Sequence, residues 1–369
     1  MLISVGDHRY YPIYIIACYP SLRQDEIPGI KGDISLNHKF MILVTGATGF
    51  LGHNLVPFLL KAGYSVRTLV RPSSDVAFLQ ELGVELAYAE DITDETAVHQ
   101  ACQDCQHIIH AAGHFRFWGD FDEFYSTNFR GTATVLAAAQ AAGVKRYIHI
   151  STIAVVGKTP EVEVITEHTR CHPQDPYQVT KLEAEQLALS YYQEKGLPVT
   201  VLRPGAFYGP WGHYAFNRLF FEEPLKGWRI KVDNGRHITF PVFVPDVVRG
   251  IEMALRRGRS GEIYNICGQS LDHNTINRIV SDLAGISRWR MNIPTSAVLT
   301  LARMWTFLSR YTGREPFYPI NMAPYVFQDW HVSYDKAAIE LGFTPTPFAV
   351  GTHETLKWYW REGLLKRRS

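Results

Sequence analysis

Between Val44 and Gly52 the chain reads Val-Thr-Gly-Ala-Thr-Gly-Phe-Leu-Gly, and no other stretch restricts its architecture so strongly. The run from Met41 to Val44 has the composition of a buried strand, and the residues from Phe50 to Lys61 follow a helical pattern. Three glycines spaced GxxGxxG join them. A strand that turns through this spacing into a helix opens a nucleotide-binding βαβ unit. Gly46 permits the tight turn, Gly49 lets backbone N–H groups approach a pyrophosphate at the helix N-terminus, and Gly52 lets helix and strand pack closely. The glycines alone would also suit a purely geometric strand-to-helix connection, so the decision falls to residues further along.

Strand-like runs at Ser65 to Val70, Val84 to Ala87, His107 to Ala111, Arg146 to Ser151 and Val199 to Leu202 alternate with helical ones. The helices are read near Asp75 to Leu82, Asp94 to Cys102, Thr127 to Ala142 and Pro176 to Lys195. This alternation predicts an α/β fold with a Rossmann-type doubly wound parallel sheet over residues 41–204. After Pro204 the regularity breaks at Trp211-Gly212, Pro224, Gly227, Pro241 and Pro245. Residues 205–369 are therefore read as a smaller, mainly substrate-binding part. No Gly- or Ser-rich linker separates the two, so a cleft is expected along their shared boundary, outside the carboxyl ends of the strands.

Tyr177-Gln178-Val179-Thr180-Lys181 supplies the chemistry. Residues four apart project from one face of a helix, so Tyr177 and Lys181 are neighbours on the helix that follows Pro176. Interconverting an alcohol and a ketone by hydride transfer requires a group that takes or gives the hydroxyl proton. A tyrosine does this when a cation stabilises its phenolate, because its ordinary pKa of about 10 is too high for a base at neutral pH. Most Tyr and Lys pairs at this spacing merely pack and solvate. In register with the glycine turn, the pair is read as catalytic.

Composition excludes other classes. With 46% hydrophobic and 20% charged residues the chain can form a substantial core, and a net charge of +1 gives no global field for nucleic acid or an anionic membrane. Five cysteines without regular spacing suit a reducing, cytoplasmic setting; Cys102 and Cys105 form an isolated CxxC, for which redox or metal use is disfavoured. Residues 1–40 form an irregular extension, in which Ile15 to Cys18 resembles a lipoprotein cleavage box. A translation start at Met41, directly before the first strand, is preferred over that signal. No run reaches the roughly 18 apolar residues of a membrane span. Pro294 to Tyr311 comes nearest, and Val298, Leu301, Ala302, Trp305 and Leu308 recur at helical spacing. A buried amphipathic helix is the default reading and a lid touching lipid-like substrate the sharper one. The partners expected are a small-molecule substrate, with a peripheral lipid contact and a second copy in a homodimer both compatible with the sequence.

Six motifs in order extend the pattern: TGATGFLG, Asp91-Ile92, His110-Ala111-Ala112-Gly113, Asn128 within Thr-Asn-Phe-Arg-Gly-Thr, Ser151 to Gly157 before the YxxxK, and Arg203-Pro204-Gly205 to Pro210 after it. From Met41 onward the chain thereby resembles the extended short-chain dehydrogenase/reductase superfamily, the NAD-dependent epimerase/dehydratase family. The resemblance implies catalysis by Tyr177 and Lys181 with Thr152, which stands five positions before Gly157; Ser151 is the fallback. It implies a dinucleotide held by Gly46, Thr48, Gly49, Phe50, Leu51, Asp91, Ile92, Ala111, Ala112, Gly113, Asn128, Lys181 and Pro204. NAD-specific relatives carry an acidic residue at the end of the second strand. Here Val70 is followed by Arg71-Pro72-Ser73, and Arg71 is placed to receive a 2′-phosphate, so NADP is preferred and NAD kept open.

Two departures narrow the branch. Related dehydratases carry Asp-Glu after the catalytic hydroxyl residue, where this chain has Ile153-Ala154. Related epimerases place a diphosphate-binding arginine shortly before the Val-x-Asp matched by Val244-Pro245-Asp246, where this chain has Thr239 with Arg236 or Arg218 as substitutes. Large apolar residues crowd the same region: Phe115, Phe117, Trp118, Phe207, Tyr208, Trp211, Tyr214, Phe216, Phe220 and Phe221. About half are expected in the core and the rest on a pocket wall. The pattern resembles the dihydroflavonol reductase and 3β-hydroxysteroid dehydrogenase branch, including bacterial hopanoid-associated sugar epimerases. It implies an alcohol–ketone oxidoreductase for a steroid-, flavonoid- or terpenoid-like substrate, with a nucleotide-sugar epimerase as the alternative.

Overall fold

In a computed structural model, residues 40–158 and 164–364 are described, so the readings placed on residues 1–39 lie outside it. Six strands follow the predicted order: β1 (Met41–Thr45), β2 (Ser65–Val70), β3 (Glu85–Tyr88), β4 (His107–His110), β5 (Arg146–Ile150) and β6 (Val199–Pro204). A seventh, Ile263–Ile266, comes from the C-terminal part and pairs with β6. All are parallel, in the order Ile263–Ile266, β6, β5, β4, β1, β2, β3. The expected doubly wound sheet is present. Its near-continuous apolar strands follow from having both faces covered: in β1, Ile42 and Val44 enter one core while Leu43 between them enters the other.

Helices α1 (Phe50–Lys61) and α4 (Val244–Arg257) cover the first face. On the second lie α2 (Gly131–Ala142) and α3 (Pro176–Lys195). The predicted helix start at Thr127 falls inside a π-helical turn, Tyr125–Arg130, that feeds directly into α2. Asp175 caps α3 by accepting from the Gln178 N–H at 2.9 Å, with Pro176 at the first turn and left-handed Gly196 at the end. The strand order reverses between β1 and β4, so the chain leaves their carboxyl ends in opposite directions and opens a crevice there.

The C-terminal part adds small paired strands. β7 (Ala206–Tyr208) pairs with Pro241–Phe243, and Ile230–Val232 pairs with Met291–Ile293. Among the helices that follow are α5 (Thr295–Thr312) and α6 (Phe348–Arg361). Tyr208 and Phe221 join Trp358 and Tyr359 of α6 in a separate aromatic core. The default reading of α5 is corrected: Ala302 is buried, but Leu301 and Leu308 are exposed. Its apolar spacing is wider than the face the domain covers. Cys102 and Cys105 are buried thiols whose pKa values burial pushes up to about 12 and about 11. No group of metal-ligating side chains occurs among the described residues.

Candidate active site

The glycine turn is closed against β4. Gly46 has φ +74°, and a Cβ there would stand 2.7 Å from the Ala111 carbonyl oxygen and the Ala112 nitrogen. A Cβ on Gly52 would collide with the Ala47 backbone, so what Gly52 permits is close packing of α1 on the glycine turn itself. A buried chain of hydrogen bonds fixes the same junction. Thr132 donates to the Asn128 carbonyl at 2.6 Å and lies 2.9 Å from His110 Nε2, while His110 Nδ1 lies 2.8 Å from Thr45 Oγ1. Thr45 Oγ1 in turn accepts the Ala112 N–H at 3.1 Å. With the Thr132 proton committed to Asn128, this direction requires Nε2–H on His110 and a lone pair on Nδ1. Burial first, and then the Lys181 charge, lower the His110 pKa to about 3, which keeps the ring neutral.

Tyr177, Lys181 and Glu185 occupy successive turns of α3. Lys181 Nζ donates to the Ile150 carbonyl at 2.6 Å, at the end of β5. Burial lowers its pKa to about 8 against the opposing pull of Glu185. Burial raises the Tyr177 pKa, and a hydrogen bond with Thr152 works against that rise. Ser151, the neighbouring hydroxyl, is buried and donates to Glu185 Oε2 at 2.6 Å. Arg203 completes a buried fork on Glu185, Nε to Oε2 at 2.9 Å and Nη2 to Oε1 at 2.5 Å. Sequence reasoning missed Glu185 and Arg203. The spacing 177, 181, 185 was the available signal for the first, whereas Arg203 meets Glu185 only through the fold.

A cavity of about 410 Å³ runs from the turn to this helix. Gly46, Gly49, Phe50, Leu51, Ala111, Gly113 and Lys181 line it together with Tyr177 and Thr152. The remaining predicted cofactor residues lie outside that lining. Thr48 and Ala112 are half-buried beside the turn, and Pro204 is buried at the end of β6. Ile92 packs on Gly131, and Asn128 spends its amide on the His114 backbone and Thr180. Arg71 is exposed just after β2. Two hydrogen bonds from Thr93, and then the Arg71 charge, hold the Asp91 carboxyl below its usual range.

Phe115, Phe117, Phe207, Tyr214, Phe216 and Phe220 furnish the aromatic wall. The Phe115 ring lies 4.7 Å from that of Tyr177, and Phe117 stands 5.0 Å from Tyr325. Two of the loop aromatics do not belong to it. Trp118 turns away and donates its indole N–H to Ser309 of α5 at 3.1 Å, and Trp211 stacks on His53 of α1 at 4.5 Å. Neither substitute for a diphosphate clamp lines the cavity: Arg236 is exposed, and Arg218 lies 3.5 Å from Glu223 and over the Phe317 ring. Thr239 lines it, as does Ala154 where a dehydratase would carry an acid.

A family model described as the NAD dependent epimerase/dehydratase family matches residues 42–267. The chain belongs to that family. It is thus an enzyme of the extended short-chain dehydrogenase/reductase type. Among relatives in the family, sterol demethylase protein B of Methylococcus capsulatus is 31% identical over 336 residues, covering 88% of this chain and 99% of that protein. A 4-hydroxy-2-methyl-3-oxo-4-farnesyl-3,4-dihydroquinoline-1-oxide ketoreductase of Stigmatella aurantiaca is 32% identical, with coverages of 81% and 90%. A dTDP-glucose 4,6-dehydratase of Streptomyces venezuelae, solved with NAD bound, superposes with a TM-score of 0.72 at 26% identity, covering 89% and 99%. Reductases and sugar-nucleotide dehydratases thus share this fold.

Proposed function

We propose that the protein is an alcohol dehydrogenase or ketoreductase, preferring NADP, that acts on a largely apolar substrate. The observation that carries this reading is the cavity itself, which joins the glycine turn to Tyr177 and is walled on its far side by aromatic rings. Such a wall favours an apolar ring system over a charged nucleotide. The names of the sterol and farnesyl-quinoline relatives point the same way. The dinucleotide fits the residues present, because Gly46 and Gly49 at the N-terminus of α1, with Ala111 and Gly113 after β4, line the cavity with small residues only. Gly46, Gly49, Phe50, Leu51, Ala111 and Gly113 would hold it, Lys181 would hold the nicotinamide ribose, and Arg71 would receive a 2′-phosphate.

When bound, the nicotinamide supplies or accepts the hydride. The chain's own groups handle the proton. In the reductive direction the Tyr177 O–H gives its proton to the substrate oxygen as the carbonyl carbon gains hydride, and an alcohol forms. Thr152 hydrogen-bonds the same oxygen and orients it. The Lys181 ammonium, with one hydrogen spent on Ile150, offers positive charge to the phenolate left behind. Oxidation runs these transfers backwards.

The test is a substrate screen of hydroxysteroids, flavonoid ketones and aryl ketones against UDP- and GDP-sugars, read by nicotinamide absorbance. Net NADPH consumption or formation with the apolar compounds is expected. Turnover confined to nucleotide sugars, with tightly retained cofactor and no net absorbance change, would instead establish an epimerase.

A further inference from the structure

Helix α5 presents an apolar row to solvent. Leu301, Met304, Leu308 and Tyr311 follow one another at spacings of three and four, with Phe307 beside them, so they share one face. Leu308 is 49% exposed, Phe307 55% and Tyr311 77%, whereas Ala302 and Ser309 on the opposite face are buried in the domain. In the segments before the helix, Trp289, Met291 and the residue paired with Met291, Ile230, are exposed as well. An exposed apolar surface of this extent needs an occupant.

Charge identifies which one. From Pro294 to Arg314 the chain has three arginines, Arg303, Arg310 and Arg314, and neither aspartate nor glutamate, although the whole protein is nearly neutral. Arg303 is exposed at the edge of the apolar row. A second copy meeting this face about a two-fold axis would bring like charges together with no carboxylate on the helix to pair them. An anionic lipid surface complements both features, since it takes up apolar side chains below the headgroups and arginines among them. At 18 residues with Arg303 near its middle, α5 suits the plane of the interface, and no helix among the described residues is long and apolar enough to cross a bilayer.

We propose that α5 is a bilayer-docking helix that seats the protein on anionic membranes, with Leu301, Met304, Leu308 and Tyr311 inserted at the headgroup boundary. The docking stands on the surface chemistry of α5 and does not depend on the reaction. Its position suits an apolar ligand all the same. Ser309 holds Trp118, Tyr214 of the cavity wall donates to Glu315 just beyond α5 at 2.5 Å, and Met322 and Tyr325 of the next segment line the cavity.

The experiment is co-sedimentation of the full-length protein with vesicles of phosphatidylcholine alone or mixed with phosphatidylglycerol. The protein is expected to pellet with the mixed vesicles, less so in high salt and with Arg303→Glu, and Met304→Glu/Leu308→Glu should weaken binding by roughly tenfold or more. Unchanged cofactor titration and melting temperature would show that these surface variants fold. A wild-type protein that stays in the supernatant overturns the proposal. So does a double variant that pellets like wild type, or one whose only change is dissociation of a dimer in analytical ultracentrifugation.

Discussion

Ser151 donates its hydroxyl hydrogen to Glu185 at 2.6 Å, which leaves Thr152, the next residue, as the hydroxyl that meets Tyr177. Two adjacent hydroxyls thereby have different partners. Thr152→Ala is expected to lower kcat by about 10²-fold or more with little change in melting temperature. Ser151→Ala should do the reverse, costing about 1–3 kcal/mol by leaving a buried carboxylate one donor short while turnover survives. Steady-state kinetics beside thermal melts of both variants separate the two; a catalytic loss in Ser151→Ala alone would exchange their roles.

Tyr177→Phe keeps the ring against Phe115 and removes only the hydroxyl. The expected result is a loss of about 10²- to 10⁴-fold in kcat with cofactor affinity unchanged, measured by turnover and by NADPH fluorescence titration. Near-normal turnover would remove Tyr177 from the chemistry.

Lys181 has its pKa lowered to about 8, so its positive charge is present below that pH and lost above it. The rate should therefore fall as pH rises through about 8. Glu185 pulls the lysine pKa upward, so Glu185→Gln should move this alkaline limb to lower pH. The same change strips Arg203 of its buried partner and should cost about 3–5 kcal/mol of stability, so the pH profile is to be recorded below the variant's melting temperature. A limb that stays in place would mean that another group titrates there.

Arg71, rather than a carboxylate, directly follows β2, and it is exposed there. NADPH should bind more tightly than NADH, and Arg71→Ala should narrow the gap by about 1.5–3 kcal/mol. Calorimetric titration with both cofactors measures it. Equal affinities in the unmodified protein would assign phosphate recognition elsewhere.

The glycine turn, the alternation of strands and helices, and the Tyr177–Lys181 spacing were legible because each is a local pattern that backbone geometry imposes on neighbouring residues. The partners of those residues were not. Arg203 of β6 reaches Glu185 of α3, and His110 of β4 reaches Thr45 of β1 and Thr132 of α2, so no spacing announces them. Trp118 and Trp211 looked like pocket residues because their loops are rich in aromatics, yet the turn of each loop sends the side chain to α5 or α1 instead. Periodicity in α5 identified an amphipathic helix correctly. It carried no information about which face the rest of the protein would leave uncovered.

The seventh strand has a consequence for biosynthesis. Ribosomes deliver β1 to β6 before Ile263–Ile266 exists, so β6 waits as an open edge with unpaired backbone groups. The face lined by Ile42 and Val44 is completed later still, by Ala337, Leu341 and Phe343 near the far end of the chain. A nascent polypeptide that already carries the glycine turn and the Tyr177 helix is consequently an unfinished, adhesive sheet. Chaperone protection during that interval, and the yield of any shortened form that ends before residue 343, are set by this late closure.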